Sequence, residues 1–291
     1  MCRRALVAVL VMALIGPSAA CARKSPPQPG SPATPSATAS TTATSAPTPA
    51  PTSIPTRSPT TAAPTPSRTT APPAGLPARL RGKDFEAIPT SRPVVALTFD
   101  AGSTDAGLRS ILATLSANGV TATFFVTGTF AERYPASVRA IVAAGHRLGN
   151  HSFSHPYFTQ KTDSQIGAEL AKAEAAIRAS GGTSTVPLFR FPYGDRNSRT
   201  IAAVNSSGYT CVRWTVDTLG WKGTVKGGIT AQTVVDRVLA GARSGEIVMM
   251  HVGANPDDAT TLDADALPSV IAQLKARGYG FVTLDALVAG A

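Results

Sequence analysis

The chain is poor in several residue types, and each scarcity removes a class of protein. Of 291 residues only Cys2, Cys21 and Cys211 are cysteine, so no disulfide framework staples the fold, even in a compartment that would permit one. A bilayer span needs about 20 consecutive apolar residues, and the apolar run at the amino terminus, Ala5–Ile15, has 11. Acidic residues number 17 against 27 basic ones, a formal net charge of +10. The basic residues are scattered without a Lys/Arg run, so a nucleic-acid partner is not expected. The charge instead suits retention near anionic wall polymers and lipid headgroups. No Gly-x-Gly-x-x-Gly follows the first apolar strand, which leaves a dinucleotide fold without support. Histidine is rare as well, with four in the chain.

What is present begins with an export signal over residues 1–20: a basic start at Arg3 and Arg4, the apolar run, and the small-residue exit Pro17-Ser18-Ala19-Ala20. Cys21 follows directly, and Ser18-Ala19-Ala20-Cys21 resembles the box of a bacterial lipoprotein, so lipidation at Cys21 and a membrane anchor are expected. The alternative is plain cleavage and secretion. Residues 21–79 are rich in Pro, Thr, Ser and Ala, with Ile54 the one large apolar residue from Ser25 to Gly75. Such a segment buries too little surface to offset its ordering entropy, and its prolines favour an extended spacer. Buried Cys211 is expected as a free thiol.

Residues 80–291 read as one catalytic domain. Apolar runs at Val94–Phe99, Ala122–Val126, Arg147–Asn150, Leu188–Phe191, Thr210–Val216, Ile247–Met250 and Phe281–Leu284 alternate with helical patterns at Asp105–Ala117, Pro135–Ala144, Ser164–Ser180, Arg199–Ser207, Ala231–Arg243 and Ala264–Arg277. Gly119, Gly145, Gly181 and Gly278 stand just past four of these helices. The pattern predicts an α/β fold with seven parallel strands, as a barrel or an open doubly wound sheet.

The reactive residues follow strand ends. Asp100 follows the first strand, His151 and His155 the third, Arg190 to Tyr193 end the fourth, Asp217 ends the fifth and His251 the sixth. In a parallel barrel all strand carboxyl ends open on one face, so these five segments converge on one mouth. His151-Ser152-Phe153-Ser154-His155 places two imidazoles four apart, a spacing that on a helical turn aims both at one cation. Without the Glu of His-Glu-x-x-His it is no metalloprotease motif. His146 reads as structural. Asp100 suits a general base on activated water, and His251 a general acid for a leaving amine. Arg190 offers a carboxylate a fixed fork, and the Pro192-Tyr193-Gly194 turn offers an oxyanion a peptide N–H.

Together these segments resemble the polysaccharide deacetylase family, the family-four carbohydrate esterases, over about Val94–Val288. Thr98 to Gly102 is similar to the family's Thr-Phe-Asp-Asp-Gly, His151 to His155 to its His-Ser/Thr-x-x-His, and Arg190 to Gly194 to its Arg-x-Pro-Tyr-Gly. An apolar strand ending in a catalytic histidine is matched at His251, and Thr121–Val126 and Phe281–Leu284 resemble family strands. The resemblance implies a distorted seven-stranded (β/α) barrel and a divalent metal, usually zinc. It implies that His151 and His155 hold the metal, Asp100 is the base, the Tyr193 N–H helps hold the oxyanion and His251 protonates the departing sugar nitrogen. Arg190 and a nearby carboxylate would tune base and acid.

Two positions depart from the pattern. The family's second Asp, a metal ligand, is Ala101, and its Asp-x-x-Asp-Trp segment reads Asp217-Thr218-Leu219-Gly220-Trp221, with Gly220 where a carboxylate is expected. Asp105, Asp100 itself or water would complete the metal shell, and Asp217 would replace the missing partner of Arg190. Tyr157, Phe158, Tyr193, Trp214 and Trp221 are the candidates for sugar stacking, with core packing the other reading of Trp214. The expected activity is removal of N-acetyl groups from peptidoglycan N-acetylglucosamine or N-acetylmuramic residues by an exported monomer. The alternatives are an O-acetyl esterase on xylan or wall glycans and an inactive glycan-binding protein.

Overall fold

The computed structural model describes residues 75–290; the expected signal over 1–20, the lipidation site Cys21 and the linker up to residue 74 lie outside the described residues. Nine strands occur among the described residues: β1 (Asp84–Phe85), β2 (Val94–Ala101), β3 (Thr123–Val126), β4 (Arg147–Asn150), β5 (Leu188–Phe189), β6 (Thr210–Val212), β7 (Val216–Asp217), β8 (Glu246–His251) and β9 (Gly280–Phe281). Between and after them run α1 (Leu108–Asn118), α2 (Gly128–Arg133), α3 (Pro135–Ala143), α4 (Asp163–Ala179), α5 (Ser198–Ser206), α6 (Ala231–Gly241), α7 (Leu262–Ala276) and α8 (Asp285–Ala289). Gly119 and Gly278 close α1 and α7 with φ of 62° and 83°, a conformation that costs glycine nothing.

All eight residues of β2 are buried, as suits a parallel strand covered on both faces. The sheet path is β1-β6-β5-β4-β3-β2-β8-β7, with β9 pairing the start of β2, and every ladder between strands is parallel. The sheet is a curled half-barrel whose path holds eight strands rather than the expected seven.

Two local effects account for the difference. The expected strand Thr210–Val216 breaks in two, because its first half pairs with β5 and β1 and its second half with β8. The change of partner falls at residues 213–215: Arg213 N–H donates to the Phe85 carbonyl (2.8 Å), and Thr215 N–H donates to the Ile247 carbonyl (2.8 Å). The other difference is β1, whose two residues are too short to show a period. At the carboxyl end the expected strand 281–284 pairs only through Gly280 and Phe281, and Leu284 N–H donates instead to Thr123 Oγ1 (3.0 Å).

Alternation along the strands decides where the chemistry points. Val95, Leu97 and Phe99 pack on the helix side with Ile111, Leu115, Leu267 and Ile271. Ala96 belongs to a second cluster inside the curl, with Phe125, Leu188, Val212 and Ile247. Each large side chain so buried stabilises the fold by about 1.5–3 kcal/mol. Asp100 therefore shares the inner face with Ala96 and Thr98, and His251 shares it with Ile247 and Met249. Asp100 and His251 are register partners across β2 and β8.

Candidate active site

At the carboxyl ends of the strands lies a cavity of about 450 Å³ lined by Asp100, His151, His155, Tyr193, Asp217, Trp221 and His251, among others. All the expected catalytic, oxyanion and metal-binding residues among the described ones meet there except Arg190, which lies beneath it, and Asp105; of the stacking candidates, Tyr157 and Phe158 do not line it. Asp105 Oδ2 accepts from Ser137 Oγ (2.6 Å) in the first turn of α3, so it does not complete a ligand set with the histidines.

The wall around Asp100 is built on a buried cation. Arg190, at the end of β5, is wholly buried. It gives Nη1 to Asp100 Oδ1 (2.7 Å), Nη2 to the Arg213 carbonyl (3.0 Å) and Nε to the Val212 carbonyl (3.4 Å). Its guanidinium also lies 4.2 Å from the centre of the Phe125 ring. The partner of Arg190 is thus Asp100, not Asp217. Asp217 lines the cavity, with Oδ1 accepting from Leu219 N–H (2.9 Å). Burial alone would raise the Asp100 carboxyl, but Arg190, His151 and His251 overrule it and hold Asp100 below its ordinary range.

His151 and His155 meet, but not on a helical turn. Residues 151–155 form a loop in which Ser152 and His155 take φ of 68° and 58°. Asn150 Oδ1 accepts from Ser152 N–H (2.9 Å), and Glu169 Oε2 on α4 accepts from the Phe153 and Ser154 amides (2.9 and 2.8 Å). The imidazole centres are 4.9 Å apart and nearly perpendicular. His151 Nδ1 donates to the Arg190 carbonyl (2.9 Å), which leaves Nε2 as a lone-pair donor 3.6 Å from Asp100 Oδ2. Burial pushes the His155 imidazole down to about 3, aided by neighbouring His151, so it is neutral as a ligand must be.

These donors fit a cation through two imidazoles. Ala101 is buried and contributes no oxygen. Among the described residues no group of three or more His, Cys, Asp or Glu is arranged to hold an ion.

On the facing wall, His251 ends β8 beside Trp221, with ring centres 6.4 Å apart. Its backbone N–H donates to Asp263 Oδ2 (2.7 Å), and its Nδ1 lies 3.6 Å from the same oxygen, an ion-pair distance. Burial alone would lower the His251 imidazole, but Asp263, Asp100 and Asp217 together raise it above its ordinary value. Asp263 was not among the expected site residues. Acidic residues at a helix start are common, and its only sequence signal is the Asp263/Asp265 pair opening α7.

Tyr193 takes φ of 58° in the turn after β5, and its ring stacks on Tyr157 with centres 4.3 Å apart and planes at 17°. Both rings are exposed, as is Trp221. Phe158 is fully buried against Phe189 and Phe191, so it is core rather than a stacking surface. Trp214 lines the cavity and also packs against the inner cluster. Ser152, His155, Tyr193 and Leu219 are four of the five non-glycine residues with positive φ among the described residues. Each costs about 1–2 kcal/mol, and all four stand in loops around this mouth. His146 is structural as expected, accepting from Ala122 N–H (3.3 Å) and packing on Phe124.

Residues 87–212 match the model of the family described as polysaccharide deacetylase. The peptidoglycan-N-acetylglucosamine deacetylase of Bacillus cereus is 33% identical over 200 residues, 68% of this chain and 70% of that protein. The chain belongs to the polysaccharide deacetylase family. The chitooligosaccharide deacetylase of Sinorhizobium fredii is 34% identical over 197 residues, 65% of this chain and 89% of that protein. The family fold also occurs in a structure described as a CE4 family pseudoenzyme from Bacillus anthracis, at 27% identity and a TM-score of 0.61 over 68% of this chain and 66% of that one. The family match takes in Asp100, His151, His155, Arg190 and Tyr193 and stops before Asp217, His251 and Asp263.

Proposed function

We propose that this polysaccharide deacetylase hydrolyses N-acetyl groups of a wall glycan, with peptidoglycan N-acetylglucosamine as the first candidate, from an exported position held by a lipid at Cys21 and spaced by the Pro/Thr/Ser/Ala-rich stretch. The observation that carries the chemistry is one pair: Asp100 and His251, register partners on adjacent strands, face one cavity and are shifted in opposite directions. Environments that drive two titratable groups apart assign base and acid.

Asp100 is ionised at neutral pH and takes a proton from the attacking water. The water oxygen bonds to the acetyl carbon, and the Tyr193 N–H would stabilise the charge on the former carbonyl oxygen. Protonated His251 delivers its Nε2 proton to the amide nitrogen as the carbon–nitrogen bond breaks, leaving acetate and a free amino sugar. His151 Nε2 and His155 would hold a divalent cation, zinc by the preference of imidazole donors, which polarises the carbonyl and the water when bound. Tyr157, Tyr193 and Trp221 offer the sugar exposed aromatic faces.

A second reading, a glycan-binding protein without catalysis, draws support from Ala101 and from the incomplete ligand set. Purification without chelator, followed by metal analysis and acetate release on N-acetylated chitooligosaccharides, peptidoglycan and O-acetylated xylan, separates the readings. The first expects bound zinc and acetate from the N-acetylated substrates, both lost in His151→Ala. Acetate from xylan alone would make the protein an esterase, and no metal with no acetate would leave the binding reading. Cys21→Ser should move the protein from membrane to soluble fractions; unchanged fractionation would remove the anchor.

A further inference from the structure

Resemblance to the family leads one to expect a carboxylate at position 220, where this chain has glycine. The space for that side chain is not empty. A Cβ built on Gly220 would lie 2.4 Å from Oδ1, 2.7 Å from Cγ and 3.0 Å from Oδ2 of Asp263, the first two closer than a Cβ carbon approaches a neighbouring heavy atom. The carboxylate of Asp263, arriving from the first turn of α7, fills the place a side chain at 220 would occupy.

We infer that Asp263 is the positioning residue for His251, a carboxylate supplied by a helix to the space that a side chain at 220 would fill. Its two oxygens divide the work. Oδ1 accepts from Thr218 Oγ1 (2.7 Å), which ties it to the turn containing Gly220, and Oδ2 accepts from the backbone N–H of His251 (2.7 Å). The same Oδ2 is 3.6 Å from His251 Nδ1, a buried nitrogen with no other partner among the described residues. A small rotation of the ring closes this approach to a hydrogen bond, and catalytic contacts of this kind are often long before substrate arrives. With Nδ1 turned to buried Asp263, the Nε2 edge is left to the cavity. Asp263 itself is 3% exposed and does not line the cavity, so it acts through His251 and not on the substrate.

The arrangement explains Gly220 and Asp263 together. The carboxylate excludes any larger residue at 220, and the absence of a side chain at 220 makes room for the carboxylate. The role rests on His251 being the proton donor proposed above.

The test is a swap in the full chain: Asp263→Ala, Gly220→Asp and the double variant. For Asp263→Ala, kcat on an N-acetylated chitooligosaccharide should fall by at least about 10-fold with KM little changed. Gly220→Asp alone should be poorly folded or inactive, since two carboxylates would share one space, and the double variant should recover most of the lost kcat. Asp263→Asn keeps the shape and removes the charge, and serves if the alanine variant does not fold. NMR of the His251 ring nitrogens, assigned with His251→Gln, gives a readout that needs no turnover. The Nδ1 proton should be lost or weakened in Asp263→Ala and restored in the double variant. This separates the inference from the activity: an inactive wild type would sink the proposed reaction while the ring signal still judged Asp263. A folded Asp263→Ala with unchanged kcat and ring signals would overturn the inference. So would a double variant no better than Asp263→Ala, or a Gly220→Asp protein as stable and fast as the wild type.

Discussion

The two walls of the cavity stand on neighbouring strands but are held in different ways. Asp100 is fixed by Arg190, which is wholly buried and reaches it from β5. His251 is fixed by Asp263, which belongs to the helix that follows its own strand. The first wall lies within the stretch that matches the family, and the second beyond its end at residue 212. A buried cation that also bonds two carbonyls and faces an aromatic ring has many constraints on its position. A single carboxylate at a helix start has few, and can be delivered from another part of the chain. In this chain the acid side is therefore the one held by fewer contacts.

The comparison can be broken most severely at Asp100. Asp100→Asn keeps the shape, removes the base and should lower kcat/KM by about 10²–10⁴-fold, measured as acetate release; a loss below 10-fold would move the base elsewhere. Next in size, Arg190→Met should cost about 3–5 kcal/mol in urea unfolding, because Asp100 is left buried without its cation. A cost near zero would mean that the first wall is no more tightly held than the second.

The base of the sheet provides a contrast to both walls. Glu246, at the start of β8, is buried, and neither carboxylate oxygen has a hydrogen-bond partner among the described residues. Burial pushes it up to about 7 from an ordinary 4.5, against the pull of Arg243 and Arg277. A folded-state value above the unfolded one means that its stabilising effect is complete below about pH 4.5 and is lost as pH rises through about 7. Glu246→Gln should therefore stabilise the protein by about 1–2 kcal/mol above pH 7 and make no difference near pH 4. An equal effect at both pH values would show that the carboxylate is not desolvated. The smallest effect is expected at the rim, where Tyr157→Ala removes half of the stacked pair with Tyr193. It should raise KM by about 3–10-fold, roughly 1 kcal/mol, with kcat unchanged.

The reacting residue of each wall was legible in the sequence because Asp100 and His251 end long apolar runs, and period-two alternation carries both to one face. The His151/His155 pair was legible as a pair but not in its conformation. Its meeting depends on left-handed backbone at Ser152 and His155, which neither residue type announces. The break at residues 213–215 was hidden because both halves of the stretch are suitable strand sequence, and only their partners differ. Asp263 was hidden for a deeper reason. Its link to Gly220 and His251 is a matter of volume and distance between segments, and no local pattern records it.

The most direct test of the central claim, that Asp100 and His251 act as opposed base and acid across one cavity, is the pH dependence of kcat/KM for acetate release from an N-acetylated glycan. A bell is expected, with an acid limb below the ordinary carboxylate value of 3.8 as Asp100 gains its proton and an alkaline limb above 6.5 as His251 loses its own. The alkaline limb should disappear in His251→Gln. A profile without an alkaline limb, or one unchanged in that variant, would contradict the claim.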